Sequence, residues 1–571
     1  MKAKVFLFIL ISISFFLNAQ TVIPGGNVSG NWTSAGSPYL VQGNIIVPND
    51  STLTIDPGVM VKFQGHYKLF CNGRILAQGS SSDSITFTVE INSIPVGWHG
   101  FRFENTPETN DTSRFDYCKI LYGNASGTGN DAMGGAFFFK DFSKCIISNC
   151  YIANCTAIDG GGAIFCDNSS IIIKNNLFDY NTSIYGGHGI EGKNNSNLKI
   201  LYNVMKNDGG IYFLYSFLTI IGNTISDNIR QGGISCWGAS SVINGNTITN
   251  NINENGAGGG GILLSYSAST VTNNIISNNY APCAGGGITC SYSDAVIISN
   301  NLIINNATGN NTLGDGTGGS GIFCFHSSPS ILNNTICNNE SITIGGGIKC
   351  AYNSNPEILN CIIYGNTATS GNGINIYLDD NDSDPSFLYC DIEGGLNGIS
   401  TNGNPYTGTF SNNIDSIPLF VSPSGGSGIG FDGTSADWSL PENSSCINAG
   451  NPVGVYQATD IAGNPRVCGT AIDIGAYELL DFTGLESSIL DNKISVSPNP
   501  FKYRTTVQFE GGALDYELNM YNLNGIKVKN IKNISGDRIT IERNNFPAGI
   551  YFISISNNNR IIGFKKLIIT D

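Results

Sequence analysis

A period runs through the middle of the chain, and half of each period has a fixed length. An apolar residue follows each glycine cluster: Ile164, Ile190, Ile211, Ile234, Ile262, Ile288, Ile322 and Ile348. A small polar residue follows each of these in turn: Asn176, Asn203, Asn223, Asn246, Asn274, Asn301, Asn334 and Cys361. The separation within a pair is 12 or 13 residues throughout. From the polar residue to the next isoleucine it varies from 8 (Asn203 to Ile211) to 21 (Asn301 to Ile322). Parallel coils stacked on one another behave this way. In the stacked half a slip of one residue would turn the apolar side chains outward, so its length is held. The other half leaves the coil as a loop and is free to vary.

The predicted fold is therefore all-β, a right-handed parallel β-helix over residues 20–425, with on the order of 14 coils of about 20–30 residues. Composition agrees. Charged residues are 12%, about half the ~25% of an ordinary globular protein. The 72 glycines supply the positive φ that tight turns need. A leucine-rich repeat skeleton is missing, and propeller blades need about 40 residues or more. The polar landmark predicts an inward asparagine row that hydrogen-bonds from coil to coil. Cys118, Cys150, Cys361 and Cys390 take that position toward the two ends.

The termini carry different information. Lys2 and Lys4 precede an apolar run, Val5 to Leu17, and then Asn18-Ala19-Gln20, which predicts a signal peptide over residues 1–19 cleaved after Ala19. No later run is apolar and long enough to span a bilayer. The net charge of −15 argues against nucleic acid as a partner. Residues 490–571 nonetheless carry 11 Lys and Arg against 7 Asp and Glu, and such a shift predicts a separate domain. The expected order is signal peptide 1–19, β-helix 20–425, closing segment or linker 426–486, and a small C-terminal β-sandwich 487–571.

Three segments carry a family resemblance. Gly43–Val47, Leu53–Val59, Gly73–Gly79 and Ile85–Thr88 resemble the opening coils of right-handed parallel β-helix proteins exported by type IX secretion. Asp460–Arg466 with Asp473–Glu478 resembles a segment that often closes such helices. Ser497-Pro498-Asn499-Pro500-Phe501, Tyr521–Gly525, Pro547–Phe552 and Lys565-Lys566-Leu567 resemble the sorting domain of that system. The resemblance implies the type IX machinery as a partner through the C-terminal domain, and an extracellular or outer-membrane surface location. In that family the tail is read by the exporter and commonly removed while the cargo is attached to surface lipopolysaccharide.

The chemistry is less marked. Gly187-His188-Gly189 is followed by Glu191 and Lys193. The remaining pectinase-type motifs are absent in that order, and hydrolysis needs two carboxylates within ~5–10 Å. Lyases of this fold need a base or a cation beside the substrate carboxylate. In the outward row that runs through Phe165, Glu191, Tyr212, Ser235 and Leu263 to Lys349, Lys349 is the one base, and a solvated lysine is the expectation. Phe165, Tyr212, Trp237, Phe323 and Phe325 can instead stack on sugar faces, provided loops leave them open. Tyr266, Tyr292, His326 and Tyr352 form a second row, expected to be a packing ladder. Asp380, Asp382 and Asp384 alternate in an inserted loop, where calcium is the one candidate cofactor. Cys166, Cys236, Cys290, Cys324 and Cys350 share an inward position and are expected as reduced thiols, since stacked parallel neighbours rarely offer the disulfide dihedral. Cys446 and Cys468 lie outside that stack and are the candidate bridge. No catalytic residue is assigned. The reading is a secreted or cell-surface protein that binds polysaccharide or makes adhesive contacts. The alternative is a polysaccharide lyase or glycoside hydrolase using His188, Glu191, Lys193 or Lys349.

Overall fold

The computed structural model describes residues 20–90, 92, 96–254, 258–309, 318–369, 371, 373–451, 457–480, 494–509, 516–522, 527–557 and 560–570. The expected signal peptide lies outside them. The chain divides into two units, residues 1–479 and 480–571.

The first unit is built on three parallel sheets of 15 strands each. Sheet A runs from Thr21–Ile23 to Asp391–Ile392, sheet B from Gly26–Asn27 to Ile399–Ser400, and sheet C from Gly30–Trp32 to Phe410–Ser411. Each coil passes from A through an elastic loop to B, then C, then back to A. The isoleucine landmarks open the strands of sheet B and pair directly, Ile262 with Ile288, Ile288 with Ile322, and Ile322 with Ile348. Alternation sends Ile, Val and Phe into one continuous core, crowded with Phe63, Phe87, Trp98, Phe101, Phe115 and Phe137 near its start.

One coil shows why the sequence turns where it does. After the sheet C strand Thr270–Thr272, Asn273 adopts a φ of 56° and Asn274 points inward. After the sheet A strand Ile275–Ser277, Asn278 adopts a φ of 57° and Asn279 points inward. Asparagine tolerates the left-handed region because its short amide bonds locally. Asn274 Nδ2 donates to Ile243 O and Asn301 Oδ1, each at 2.9 Å. Asn274 Oδ1 accepts from the backbone N and the Nδ2 of Asn246, each at 2.9 Å. The expected row is thus present. A second row of the same kind was not anticipated: Asn279 Nδ2 donates to Ile248 O at 2.9 Å and Asn306 Oδ1 at 3.0 Å. A glycine column packs beside it, where a Cβ on Gly261 would lie 2.7 Å from Gly287 O.

Beyond Ser411 the chain does not extend the axis. It folds back along the outer face of sheet A as a strap, described over residues 415–451 and 457–479. Trp438, Leu440, Cys446 and Ile474 cover Leu302, Ile304, Cys337 and Ile362. The left-handed asparagines of successive coils tie it down. Asn278 Nδ2 donates to Phe431 O at 2.6 Å, Asn305 Nδ2 to Gly426 O at 2.8 Å, and Asn338 Nδ2 to Ser424 Oγ at 2.9 Å. The segment expected to close the helix therefore lies on its flank. No disulfide forms among the described residues, and the expected Cys446–Cys468 bridge is not made. Cys446 Sγ points at sheet A and donates to Asp391 Oδ2 at 3.1 Å.

The strap carries a buried charge cluster. Arg466 is enclosed with Asp460, Asp473 and Glu478. Burial and the Asp473 charge push the Glu478 carboxyl up from 4.5 to about 7, and burial pushes Asp391 beneath it up to about 6. Burial also raises Asp473, while Arg466 opposes the rise. A carboxyl raised in the folded state binds protons more readily there than in the undocked chain. Strap stability is then full below the ordinary carboxylate range and declines as pH rises toward 7. Hydrogen exchange of the strap amides, corrected for intrinsic rate, is expected to show lower protection at pH 7.5 than at pH 5. Glu478→Gln should flatten that slope; a slope unchanged in this variant would refute the assignment.

The second unit is a small antiparallel sandwich. Ile494–Ser497, Arg504–Phe509 and Arg538–Glu542 form one sheet, and Lys527–Ile534, Tyr516–Asn522, Gly549–Asn557 and Arg560–Ile569 form the other. Leu518, Met520, Ile541, Ile553, Ile555 and Leu567 pack between them. Among the described residues no helix is long and apolar enough to cross a membrane.

Candidate ligand-binding cleft

Sheet B is the outer face that the elastic loops flank, and one stretch of it is open. There a cleft of about 360 Å³ is lined by Asp159, His188, Glu191, Tyr212, Ser235 and Trp237, among others. Glu191 and Tyr212 are outward neighbours on paired strands. His188 comes from the loop entering the same coil, and glycines let that loop approach. A Cβ on Gly160 would lie 2.7 Å from Glu191 Oε2, and one on Gly186 would lie 2.5 Å from Asp159 O.

The histidine is fixed on three sides. Its backbone N–H donates to Ser183 Oγ at 3.0 Å, its Nδ1 lies 3.1 Å from Glu191 Oε2, and its ring stacks on Tyr212 at 4.4 Å and 10°. A carboxylate only accepts, so Nδ1 carries a hydrogen toward Glu191. His188 is 6% exposed, and its Nε2 has no hydrogen-bond partner among the described residues. Burial and the charge of Glu191 push the Tyr212 hydroxyl above its ordinary range. Trp237 is 37% exposed. Asp208, whose Cβ would abut one on Gly189, replaces asparagine in the second inward row, and burial raises its carboxyl well above the ordinary range.

The other expected site residues separate from this cleft. Phe165 is 1% exposed, stacked on Phe138 at 5.7 Å with Lys193 Nζ over its ring at 5.0 Å. Phe323 is 3% exposed and packs with Ala284, Ala351 and the half-buried Phe325. Loops cover these rings, so of the five aromatics Tyr212 and Trp237 line the cleft. Lys349 is not the solvated lysine expected. It is 1% exposed, its Nζ is 3.1 Å from Asp379 Oδ2, and it lies over Phe323 and Tyr377. Tyr266, Tyr292, His326 and Tyr352 stack at 4.8–4.9 Å, an exposed packing ladder whose inner ring faces are used by its own members.

Asp380 Oδ1 accepts from the backbone N of Asp382 at 3.0 Å, and Asp384 Oδ1 from that of Thr407 at 2.9 Å. These carboxylates hold turns. Among the described residues no group of three His, Cys, Asp or Glu side chains is placed to hold a metal ion. Asp159 was not anticipated. It sits in an elastic loop, where spacing carries no register.

A wound core of three parallel sheets with inward asparagine rows defines a β-helix. The family model for a right-handed β-helix region matches residues 75–251 and 242–368, and the chain belongs to that family. Residues 495–570 match the secretion system C-terminal sorting domain. The protein is thus a β-helix handed to the type IX secretion machinery by its tail, and is secreted or displayed at the cell surface. No curated protein matches the chain. A solved structure, that of PfbA, a surface adhesin of Streptococcus pneumoniae, is 14% identical. It covers 61% of this chain and 84% of that chain, with a TM-score of 0.27.

Proposed function

We propose that the β-helix is a non-catalytic glycan-binding module for surface contact, with the ligand held in the sheet B cleft. The observation that supports this most is the pairing of two accessible aromatic side chains, Tyr212 and Trp237, with hydrogen-bonding groups in one concavity. Sugars are recognised by that combination, an apolar ring face stacked on an aromatic and hydroxyls met by fixed polar groups. A glycan array with the purified protein tests it. Trp237→Ala is expected to weaken the best ligand by about tenfold or more, and unchanged binding by this variant would count decisively against the cleft.

A second reading, a glycoside hydrolase or polysaccharide lyase, draws support from Asp159, His188 and Glu191 lining the same concavity. Two carboxyl groups facing one substrate are what glycoside hydrolysis requires. Release of reducing or unsaturated ends, lost in Glu191→Gln, would establish that reading in place of the first.

A further inference from the structure

The charge on the cleft walls carries a conclusion about the ligand. Its lining contains two acidic side chains, Asp159 and Glu191, and no lysine or arginine. Two bases close to lining residues in sequence are engaged elsewhere: Lys193 Nζ lies over the Phe165 ring, and Arg230 Nη1 donates to Ile184 O at 3.4 Å. The nine-tenths buried His188 brings an unpartnered Nε2 to the cleft. Ser235 and Leu263 complete a wall without positive charge. The field of the whole chain has the same sign, at −15, so an anionic polymer is repelled before contact and a cationic one is drawn in. We infer that this cleft selects glycans bearing free amino groups, with the ammonium against Asp159 and Glu191 and the sugar face on Trp237, and that it rejects uronate polymers. The inference rests on the glycan-binding reading of the same site.

The test uses the full exported protein and four oligosaccharides of matched length, at a pH where amines are protonated. These are an oligomer of glucosamine, its N-acetylated counterpart, a neutral glucan and an oligogalacturonate. Calorimetry is expected to rank the free amine tightest, by about tenfold over the N-acetylated form, with no detectable uronate binding. Salt near 1 M, where the screening length is only ~3 Å, should erase most of that preference in the wild-type protein. Glu191→Gln should lower amine binding by a larger factor than neutral binding, whereas Trp237→Ala should weaken every ligand by a similar factor. Uronate bound as well as amine, or an amine preference absent or insensitive to salt, would overturn the inference and leave the glycan reading standing. Failure of all four ligands would overturn the glycan reading itself. If Glu191→Gln proves unfolded by circular dichroism, the salt series on the unmodified protein decides the matter.

Discussion

Asn274→Leu is expected to cost about 3–5 kcal/mol of β-helix stability, several times the effect of an ordinary surface change. Leucine keeps the branched skeleton of asparagine but replaces its O and NH2 with larger methyls, so the main loss is of hydrogen bonding, with some overpacking added to it. The substitution removes the acceptor for the backbone N–H of Asn246 and for one hydrogen of Asn246 Nδ2. It also removes the donor to Ile243 O and Asn301 Oδ1. Asn246 Nδ2 keeps Ile220 O, and Asn301 Oδ1 keeps the backbone N–H of residue 274. The uncompensated groups are thus chiefly two buried donors, each costing ~1–3 kcal/mol when left unsatisfied. The coils supply a control within the same protein. Where the row ends, Cys361 Sγ accepts the backbone N–H of Asn334 at 3.4 Å. Asn274→Cys should therefore retain part of the interaction and unfold at a denaturant concentration between those of wild type and Asn274→Leu. Equal midpoints for the two variants would show that the row contributes shape and not hydrogen bonds. In a stacked array each coil depends on its neighbours, so protection should fall first in the coils next to residue 274.

Much of this architecture is legible in the sequence because register forces it to be. The isoleucine column and the first asparagine row sit in the segment whose length cannot vary, and both appear where spacing places them. The second row was equally available: Asn274 and Asn279, Asn301 and Asn306, and Asn334 and Asn339 keep a constant interval, because a sheet A strand of three residues and its left-handed turn fill it. The strap also left a trace. Outward positions on sheet A are mixed where it is absent, with Asp179, Lys206, Thr224 and Thr249 beside Leu177 and Val204, and carry the apolar Leu302, Ile304 and Ile362 where it lies. A cluster of apolar residues facing out of a solenoid calls for a cover. The cleft was only half legible. Glu191, Tyr212 and Trp237 belong to strands and follow the period, whereas Asp159 and the loops that bury Phe165 and Phe323 belong to segments of unconstrained length. Pairing of Lys349 with Asp379 is of the same kind, since Asp379 lies just past the next strand of sheet B, at a coil edge where alternation no longer predicts facing.

Loss of the Arg466 charge is the second large effect. Arg466→Leu leaves Asp460, Asp473 and Glu478 buried together without the cation whose charge acts on all three, and uncompensated buried charge costs several kcal/mol. Arg466 also donates through Nη2 to Asp473 O at 3.2 Å and to Gly475 O, so the strap's return turn loses its internal tie as well. The consequence falls on docking. Gly475 N donates to Asn360 O at 2.8 Å, and Ala476 N to Thr335 Oγ1 at 3.0 Å, directly beside that turn. Release of the strap would uncover Leu302, Ile304 and Ile362. Limited proteolysis is expected to cut the variant within residues 415–451 or 457–479 under conditions where wild type resists there, and a dye for apolar surface should bind it. Acid distinguishes electrostatics from simple loss of packing. Burial raises the Asp473 and Glu478 carboxyls, so both are neutral below the ordinary carboxylate range and the variant should regain much of its resistance there, and Arg466→Leu combined with Glu478→Gln should regain part of it at neutral pH. A variant cut equally fast at both pH values would mean that Arg466 acts by filling space, and that the charge cluster does not hold the strap.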